Sequence, residues 1–470
     1  MLKRATPLSA RQSALPAIMA KHLDSVLHIL ISRMRSDMMK RLFTQVSALA
    51  LVGGMLAVPL AAQTTAEYDR QIEQLMNHPA VRTALDHIVE TDDQTMDDLM
   101  TLTQIPAPPF MEDERGEAFL QMMIDLGVDS AWTDEVGNVI GLRRGSGTGQ
   151  VLAIAGHLDT VFPPETDVTI RMSGDTLFAP GIADDTRGLA TVLAVLRAMN
   201  DANVRTEADI LFIGNVGEEG LGDLRGVKHL FRDGGPRIDH FISVDGTSSN
   251  GITHMGLGSH RYRVTFKGPG GHSWGAFGLA NPAHAMGQAI GYFQDGAAPY
   301  TATAPFRTSY NVGRMGGGTS VNSVPFESWM EIDMRSEGDA TLDAVDAILQ
   351  GAVQRALAEE NVRRTRGEAL TVDVDMIGDR PSGAVAEDHP YVQQAAAVTR
   401  VLGMEPSFGR SSTDSNIPIS MDVPAVTIGG GGQGFGAHSL DEWFRNENGA
   451  VGVQRVMLIV LAQVGVAQTS

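Results

Sequence analysis

The chain of 470 residues contains no cysteine. That one absence excludes a thiolate zinc site, a catalytic cysteine and a disulfide framework. The HExxH pattern of a zinc-binding helix is missing too. Two glycine-rich stretches, Gly316-Gly317-Gly318 and Gly429-Gly430-Gly431-Gly432, lack the spacing and Lys of a P-loop and the GxGxxG order, so they read as tight turns. Positive charge is also scarce. Against 56 Asp and Glu there are 36 Lys and Arg, a formal net charge of −20, which argues against nucleic acid and anionic membranes as partners.

What the chain does have is a series of short apolar runs that each end on acidic or His-bearing loops. Val151 to Ala155, bounded by Gly149 and Gly156, reads as a buried parallel strand and leads into His157-Leu158-Asp159. Asp184 and Asp185 precede Leu189, Val192, Leu193, Leu196 and Met199, whose spacing predicts a helix with the two carboxylates at its N-terminus. Ile210 to Ile213 runs into Gly217-Glu218-Glu219-Gly220, and Phe241 to Val244 ends on Asp245. Val423 to Ile428 reads as a further strand, followed after a glycine tract by Ala437-His438-Ser439.

In an open α/β sheet, ligands bind outside the carboxyl ends of the strands, so these residues can converge although they span most of the chain. Imidazoles and carboxylates are the ligands of a two-metal hydrolytic centre. Two divalent ions about 3.5–4 Å apart share a carboxylate and a water, and stabilise both the attacking oxygen and the carbonyl oxygen of an amide.

The segments AGHLDTV (155–161), GIADDTRG (181–188), VGEEG (216–220), SVDG (243–246) and GAHSLDEW (436–443) together resemble the M20 family of metallopeptidases. The resemblance implies that His157 and Asp245 bind one zinc, Glu219 and His438 the other, and that Asp184 bridges both. It makes Glu218 the general base that takes a proton from the bridging water and passes it to the leaving amine. It makes Asp159 the residue that orients the His157 ring. It also implies a cis Asp184-Asp185 peptide. Many members carry Lys-Gly two residues after the bridging Asp, whereas Asp185-Thr186-Arg187-Gly188 is one residue longer.

The middle of the chain has its own pattern. Arg261 to Phe266 alternates, Pro282 to Phe293 is helical, Thr308 to Val312 and Trp329 to Met334 are strand-like, Ala340 to Glu359 is helical and Leu370 to Met376 alternates. This βαββαβ order is the ferredoxin-like arrangement. In the M20 family an inserted domain of this kind acts as a lid and makes the dimer. By the same resemblance His272, in Gly270-Gly271-His272-Ser273, stabilises the oxyanion, often in the partner's site, while Asn322 and Arg335 position substrate.

The same loop offers a rival. Gly271-His272-Ser273-Trp274-Gly275 matches the G-x-S-x-G nucleophile elbow, with Asp414 and His438 following in the order of a serine hydrolase. The elbow needs a strand running straight into the Ser and a helix leaving it; here Gly268-Pro269-Gly270 interrupts the approach and Pro282 starts the helix late. The polar run Ser411 to Asn416 is either a loop near the substrate or a capped helix start.

The expected organisation is an N-terminal extension and signal peptide at 1–62, a catalytic domain in two segments at 63–258 and 382–470, and a lid or dimerisation domain at 259–381. Within the first part, Met39-Lys40-Arg41 is a basic n-region, Leu42 to Leu60 an apolar stretch and Ala61-Ala62-Gln63 a cleavage site, so translation is expected to start at Met38 or Met39. An uncleaved anchor is the alternative, opposed by Gly53, Gly54 and Pro59. Loss of residues 1–62 moves the formal charge to −26, that of a soluble periplasmic or secreted protein.

The expected protein is a two-domain α/β hydrolase and homodimer, holding two Zn2+ per subunit, with Co2+ or Mn2+ as alternatives. It cleaves an amide bond in a small peptide or, alternatively, an N-acyl amino acid. A non-catalytic metal-binding homologue would not need Glu218.

Overall fold

A computed structural model describes residues 63–147 and 149–467. The expected signal segment at 38–62 lies outside the described residues. No helix among the described residues is long and apolar enough to cross a membrane.

Four helices come first: α1 (Thr65–Met76), α2 (Pro79–Glu90), α3 (Asp92–Thr103) and α4 (Asp113–Asp125). The strands that follow are β1 (Ser130–Thr133), β2 (Val139–Arg143), β3 (Val151–His157), β4 (Asp209–Asn215), β5 (His240–Val244) and β6 (Gly251–Gly256). Next are β7 (Gly258–Lys267), β8 (Thr308–Gly317), β9 (Glu327–Ser336) and β10 (Thr371–Arg380), then β11 (Gly383–Ala384), β12 (Ser407–Ser411) and β13 (Ala425–Ile428). The longer helices among them are α5 (Thr186–Asp201), α6 (Pro282–Thr301), α7 (Asp339–Arg363), α8 (Pro390–Val401) and α9 (Gly449–Val464).

The principal sheet is mixed, with nine strands in the order β1-β2-β4-β3-β5-β13-β6-β11 and β12 paired to β6. Its centre, β4-β3-β5-β13, is parallel. Each of these four strands is almost wholly buried, which is why they read as apolar runs and not as alternations. Helices α5 and α9 pack on β3, and α4 packs on β1 and β2. Phe212, Phe241 and Leu193 are fully buried in the shared core, each contributing about 1.5–3 kcal/mol by leaving water.

Helix α5 begins where the sheet's functional edge lies. The Asp185 carboxylate accepts the Gly188 N–H and caps the helix. A Cβ on Gly188 would come within 2.2 Å of the Val244 carbonyl, so the glycine lets this first turn sit against the end of β5.

The second sheet is antiparallel, order β8-β9-β7-β10, with α6 and α7 packed on it. This is the βαββαβ connectivity with ferredoxin-like strand order, and every element is longer than its expected range. Alternating side chains of β9 join Val264, Phe266, Phe293 and Leu349 in a separate core. Gly258 and Ser382 lie where the chain passes between sheets, just after β6 and just after β10.

Candidate active site

Because the four central strands run parallel, their carboxyl ends share one edge. His157 ends β3, Glu218 and Glu219 follow β4, and Asp245 follows β5. His438 arrives by a longer route from β13, through a short strand at Gln433–Phe435 that pairs with Trp443–Arg445. The Asp184-Asp185 peptide is cis, as expected.

Ligand-type atoms of His157, Asp184 and Glu219 lie within 4.8 Å of one another, a cluster that could hold a metal ion. His157 Nε2 faces Asp184 Oδ1 at 3.0 Å, and His438 Nε2 lies 3.2 Å from Asp184 Oδ2 and 2.8 Å from Glu219 Oε1. Each oxygen of Asp184 therefore faces a different imidazole. Asp245 lines one cavity together with Asp184, Glu219 and His438. His438 holds a left-handed backbone, φ 65°, uncommon for a residue with a side chain.

The donor set fits a cation. His157 Nδ1 lies 3.0 Å from the Asp159 carbonyl, so a proton there leaves the lone pair of Nε2 directed at a carboxylate. A cation between the two removes that repulsion. The nitrogen–oxygen separations of 2.8–3.2 Å lie just inside the roughly 3.3 Å spacing of donors about 2 Å from a tetrahedral ion, so a small opening of the cluster admits one.

Without an ion, protons carry the charge balance. Burial opposes a charge on His157, but hydrogen bonds to Asp159 and Asp184 outweigh it and hold its pKa well above the ordinary value. Hydrogen bonds that the His438 ring donates to Asp184 and Glu219 push its pKa up to about 10. Burial, reinforced by Asp184, pushes Asp245 up to about 7. Burial likewise raises Glu218 well above the carboxylate range, opposed by Arg380.

Asp159 does more than the expected task of orienting His157. Its carbonyl faces the ring, while its carboxylate accepts the N–H groups of Glu218 at 3.0 Å and Glu219 at 2.8 Å. One buried side chain thereby ties the end of β3 to the loop after β4.

Three contributors escaped the sequence reading. Arg380, at the end of β10, places Nη1 3.0 Å from Glu218 Oε1 and 3.0 Å from Ser412 Oγ. Fully buried Glu442 accepts N–H groups of Gly181, Ala183 and Asp184 at 2.8, 2.8 and 3.0 Å, fixing the loop that carries Asp184. Asn215, in register with His157 across β3 and β4, donates to Asp414 at 2.8 Å.

Arg335 lines the cavity with Arg380 and Ser411–Thr413, and Ser415 precedes a five-residue helix, so the 411–416 run is both cavity wall and helix start. His272 and Asn322 do not line the cavity. His272 sits on a two-stranded ribbon, paired with Ser323, and Asn322 lies in the turn just before that partner strand, where its carbonyl accepts the Ser273 N–H. Ser273 lies in turns beyond that ribbon, with helix α6 starting only at Pro282, and Asp414 is bonded to Asn215. No nucleophile elbow is formed.

The model of peptidase family M20/M25/M40 matches residues 153–462, well over half of the chain. The chain belongs to this family. It is an M20 hydrolase, from a family of metal-dependent enzymes acting on peptide and amide bonds. A Pyrococcus abyssi protein named a LysW-lysine/LysW-ornithine hydrolase is 26% identical over 353 residues, 72% of this chain and 85% of the relative. Carboxypeptidase G2 of a Pseudomonas species is 26% identical over 310 residues, 64% of this chain and 71% of the relative. Among solved structures, aminopeptidase PepT of Bacillus cereus superposes with a TM-score of 0.60 at 22% identity, covering 79% of this chain and all but 2% of its own. A dipeptidase of Saccharomyces cerevisiae gives 0.63 at 14% identity, over 83% of this chain and 100% of its own. These two likenesses concern the fold.

Proposed function

We propose that this M20 hydrolase cleaves an amide bond in small peptides, as an exo- or dipeptidase, at a pair of zinc ions. His157 and Asp245 would hold one ion and Glu219 and His438 the other, with Asp184 between the two imidazoles as a ligand common to both. The observation that carries this reading is the position of Asp184, whose two oxygens each face a different imidazole. Divalent ions held by this set would supply Lewis-acid chemistry, lowering the pKa of a water and drawing charge from the scissile carbonyl.

The chain's own groups supply the proton traffic. Glu218, kept proton-hungry by burial, accepts a proton from the attacking water as the new C–O bond forms. It then delivers that proton to the amine nitrogen as the C–N bond breaks. Arg380 steadies the Glu218 carboxylate, and Asp159 fixes the loop on which Glu218 sits. An N-acyl amino acid uses the same steps, so deacylation is the second reading. Co2+ or Mn2+ suits the same donors.

The second sheet is assigned the role of lid and dimerisation domain, spanning 259–381. Two observations support it: His272 and Asn322 lie off the cavity of their own chain, and Trp274 and Phe277 beside them are 88% and 84% exposed. In this reading His272 completes the partner's site. The basic and apolar run at 39–60 supports export to the periplasm or beyond.

The test is hydrolysis of a panel of di- and tripeptides and N-acyl amino acids by protein starting at Gln63, with and without chelator. Cleavage that chelator abolishes and zinc restores is expected. Cleavage indifferent to chelator would overturn the reading and return attention to Ser273.

A further inference from the structure

A separate cavity, about 230 Å³, opens at the end of the principal sheet away from the metal-binding set. Arg143, Arg144 and Arg205 line it, and Asp129 is the one carboxylate among its described lining residues. Arg143 pairs with Ile210 at the start of β4, whereas Asn215, at the far end of that strand, pairs with His157. Helix α5 spans the same interval, from the Asp185 cap to Asn200 in the cavity wall, about 24 Å for its 16 residues.

Helices α4 and α5 both end on this cavity. A helix C-terminus carries partial negative charge, so a cation there has a structural task. Arg143 performs it: Nε donates to the Asn200 side-chain oxygen at 2.8 Å, and Nη2 donates to the carbonyls of Met199 and Val204. Asn200 in turn donates to the Leu126 carbonyl at 2.7 Å, which covers the end of α4. Arg144 and Arg205 have no such task. Their side chains make no hydrogen bond and no ion pair among the described residues, and Asp129 accepts the Arg144 backbone N–H at 2.7 Å instead of a guanidinium. The pKa of Arg143 is lowered, by burial first; Asp129 opposes that shift and Arg205 adds to it, so the guanidinium groups repel one another. Three guanidinium charges against one carboxylate leave two in surplus, on a chain whose formal net charge is −20.

We infer that this cavity is a binding site for a small tetrahedral dianion of the phosphate and sulfate kind. Two negative charges match the surplus, and the oxygens can accept from several sides at once. Arg143 is a fixed floor, held by its three bonds, with Nη1 left without a partner among the described residues. The unpaired side chains of Arg144 and Arg205 close on the ion from the rim, where Ser146 offers a hydroxyl. Guanidinium groups suit such an ion because each can present two N–H donors to it in one plane. The site does not depend on the hydrolytic reading of the metal centre.

The experiment is calorimetric titration of sodium sulfate into zinc-loaded protein, with ionic strength held constant by sodium chloride. Sulfate is the probe because it stays doubly charged throughout the neutral range. The titration is repeated with sodium acetate, with Arg144→Gln/Arg205→Gln and with Arg410→Gln, which removes a guanidinium from the cavity beside the metal-binding set. Wild type is expected to show a saturable sulfate site at least about 10-fold tighter than any for acetate. The double variant should weaken that site roughly 10- to 100-fold, the worth of one charge-assisted hydrogen bond or more, while Arg410→Gln leaves it in place. The melting temperature of the double variant without sulfate should equal that of wild type, since neither side chain has a partner to lose. Absence of saturable sulfate binding in wild type would overturn the inference, as would equal affinity in the double variant. Loss of the site in Arg410→Gln alone would put the anion in the other cavity and overturn it too.

Discussion

Arg380 Nη1 and Glu218 Oε1 lie 3.0 Å apart, both side chains less than a tenth exposed, with the arginine at the end of the second sheet and the glutamate on a loop of the first. The pair joins the two sheets at the carboxylate assigned to proton transfer. Burial raises the proton affinity of Glu218, and the guanidinium offsets part of that effect. Replacing Arg380 by Gln is therefore expected to raise the pH at which kcat/KM reaches half its plateau and to lower the plateau roughly 10- to 100-fold. A pH–rate profile measures both, and an unshifted acidic limb would separate Arg380 from the base.

Asp159→Asn keeps the shape but turns one acceptor oxygen into a donor facing the N–H of Glu218 or Glu219. Metal affinity or turnover is expected to fall about 10- to 100-fold, as when other outer partners of metal ligands are lost. Metal titration by calorimetry together with steady-state rates would show it. A variant indistinguishable from wild type in both would contradict the tie between β3 and the Glu218 loop.

Ser273→Ala is expected to change kcat/KM by less than about threefold, because the turns around Ser273 build no strand-to-helix elbow. A loss of about 1,000-fold would revive the serine mechanism.

Stability should respond to pH differently with and without metal. In the metal-free protein Asp414 is raised to about 6 and Asp245 to about 7, both from 3.8, by burial first, while hydrogen bonds raise His438 from 6.5 to about 10. A raised folded pKa means that the folded state keeps protons the unfolded chain has released. Stability contributed by these groups is therefore lost as pH climbs from about 4 to 7 for the carboxyls, and from 6.5 to 10 for His438. Asp184 and Asp159 are lowered instead, so their contribution is lost only below the ordinary aspartate range, outside this window. Metal-free protein is expected to melt several degrees lower at pH 8 than at pH 5. Excess zinc should remove or reverse the difference, since its ligands bind deprotonated. Higher metal-free stability at pH 8 would contradict the account.

The catalytic sheet was legible because its four central strands are buried on both faces and so appear as bounded apolar runs, each spilling into its polar loop. The second sheet was legible through alternation, as in Trp329 to Met334. Alternation also hid Arg380: the register of β10 shifts between Met376 and Gly378, so the pattern stops short of the strand's true end. Glu442 lay inside a recognised segment, yet its partners Gly181, Ala183 and Asp184 are some 260 residues away and are backbone groups, which leave no trace in side-chain spacing. The helices from Thr65 to Asp125 carry no motif, and packing against the rest of the core, as α1 does against α8, reveals their place.

The most direct test is Glu218→Gln, assayed for zinc content and for turnover on the best peptide found in the panel. Glu218 accepts the Arg380 bond but is not among the proposed ligands, so bound zinc should equal that of wild type while kcat falls about 100- to 10,000-fold. Wild-type turnover with full zinc would contradict the central claim that Glu218 moves the proton in a metal-dependent amide hydrolysis.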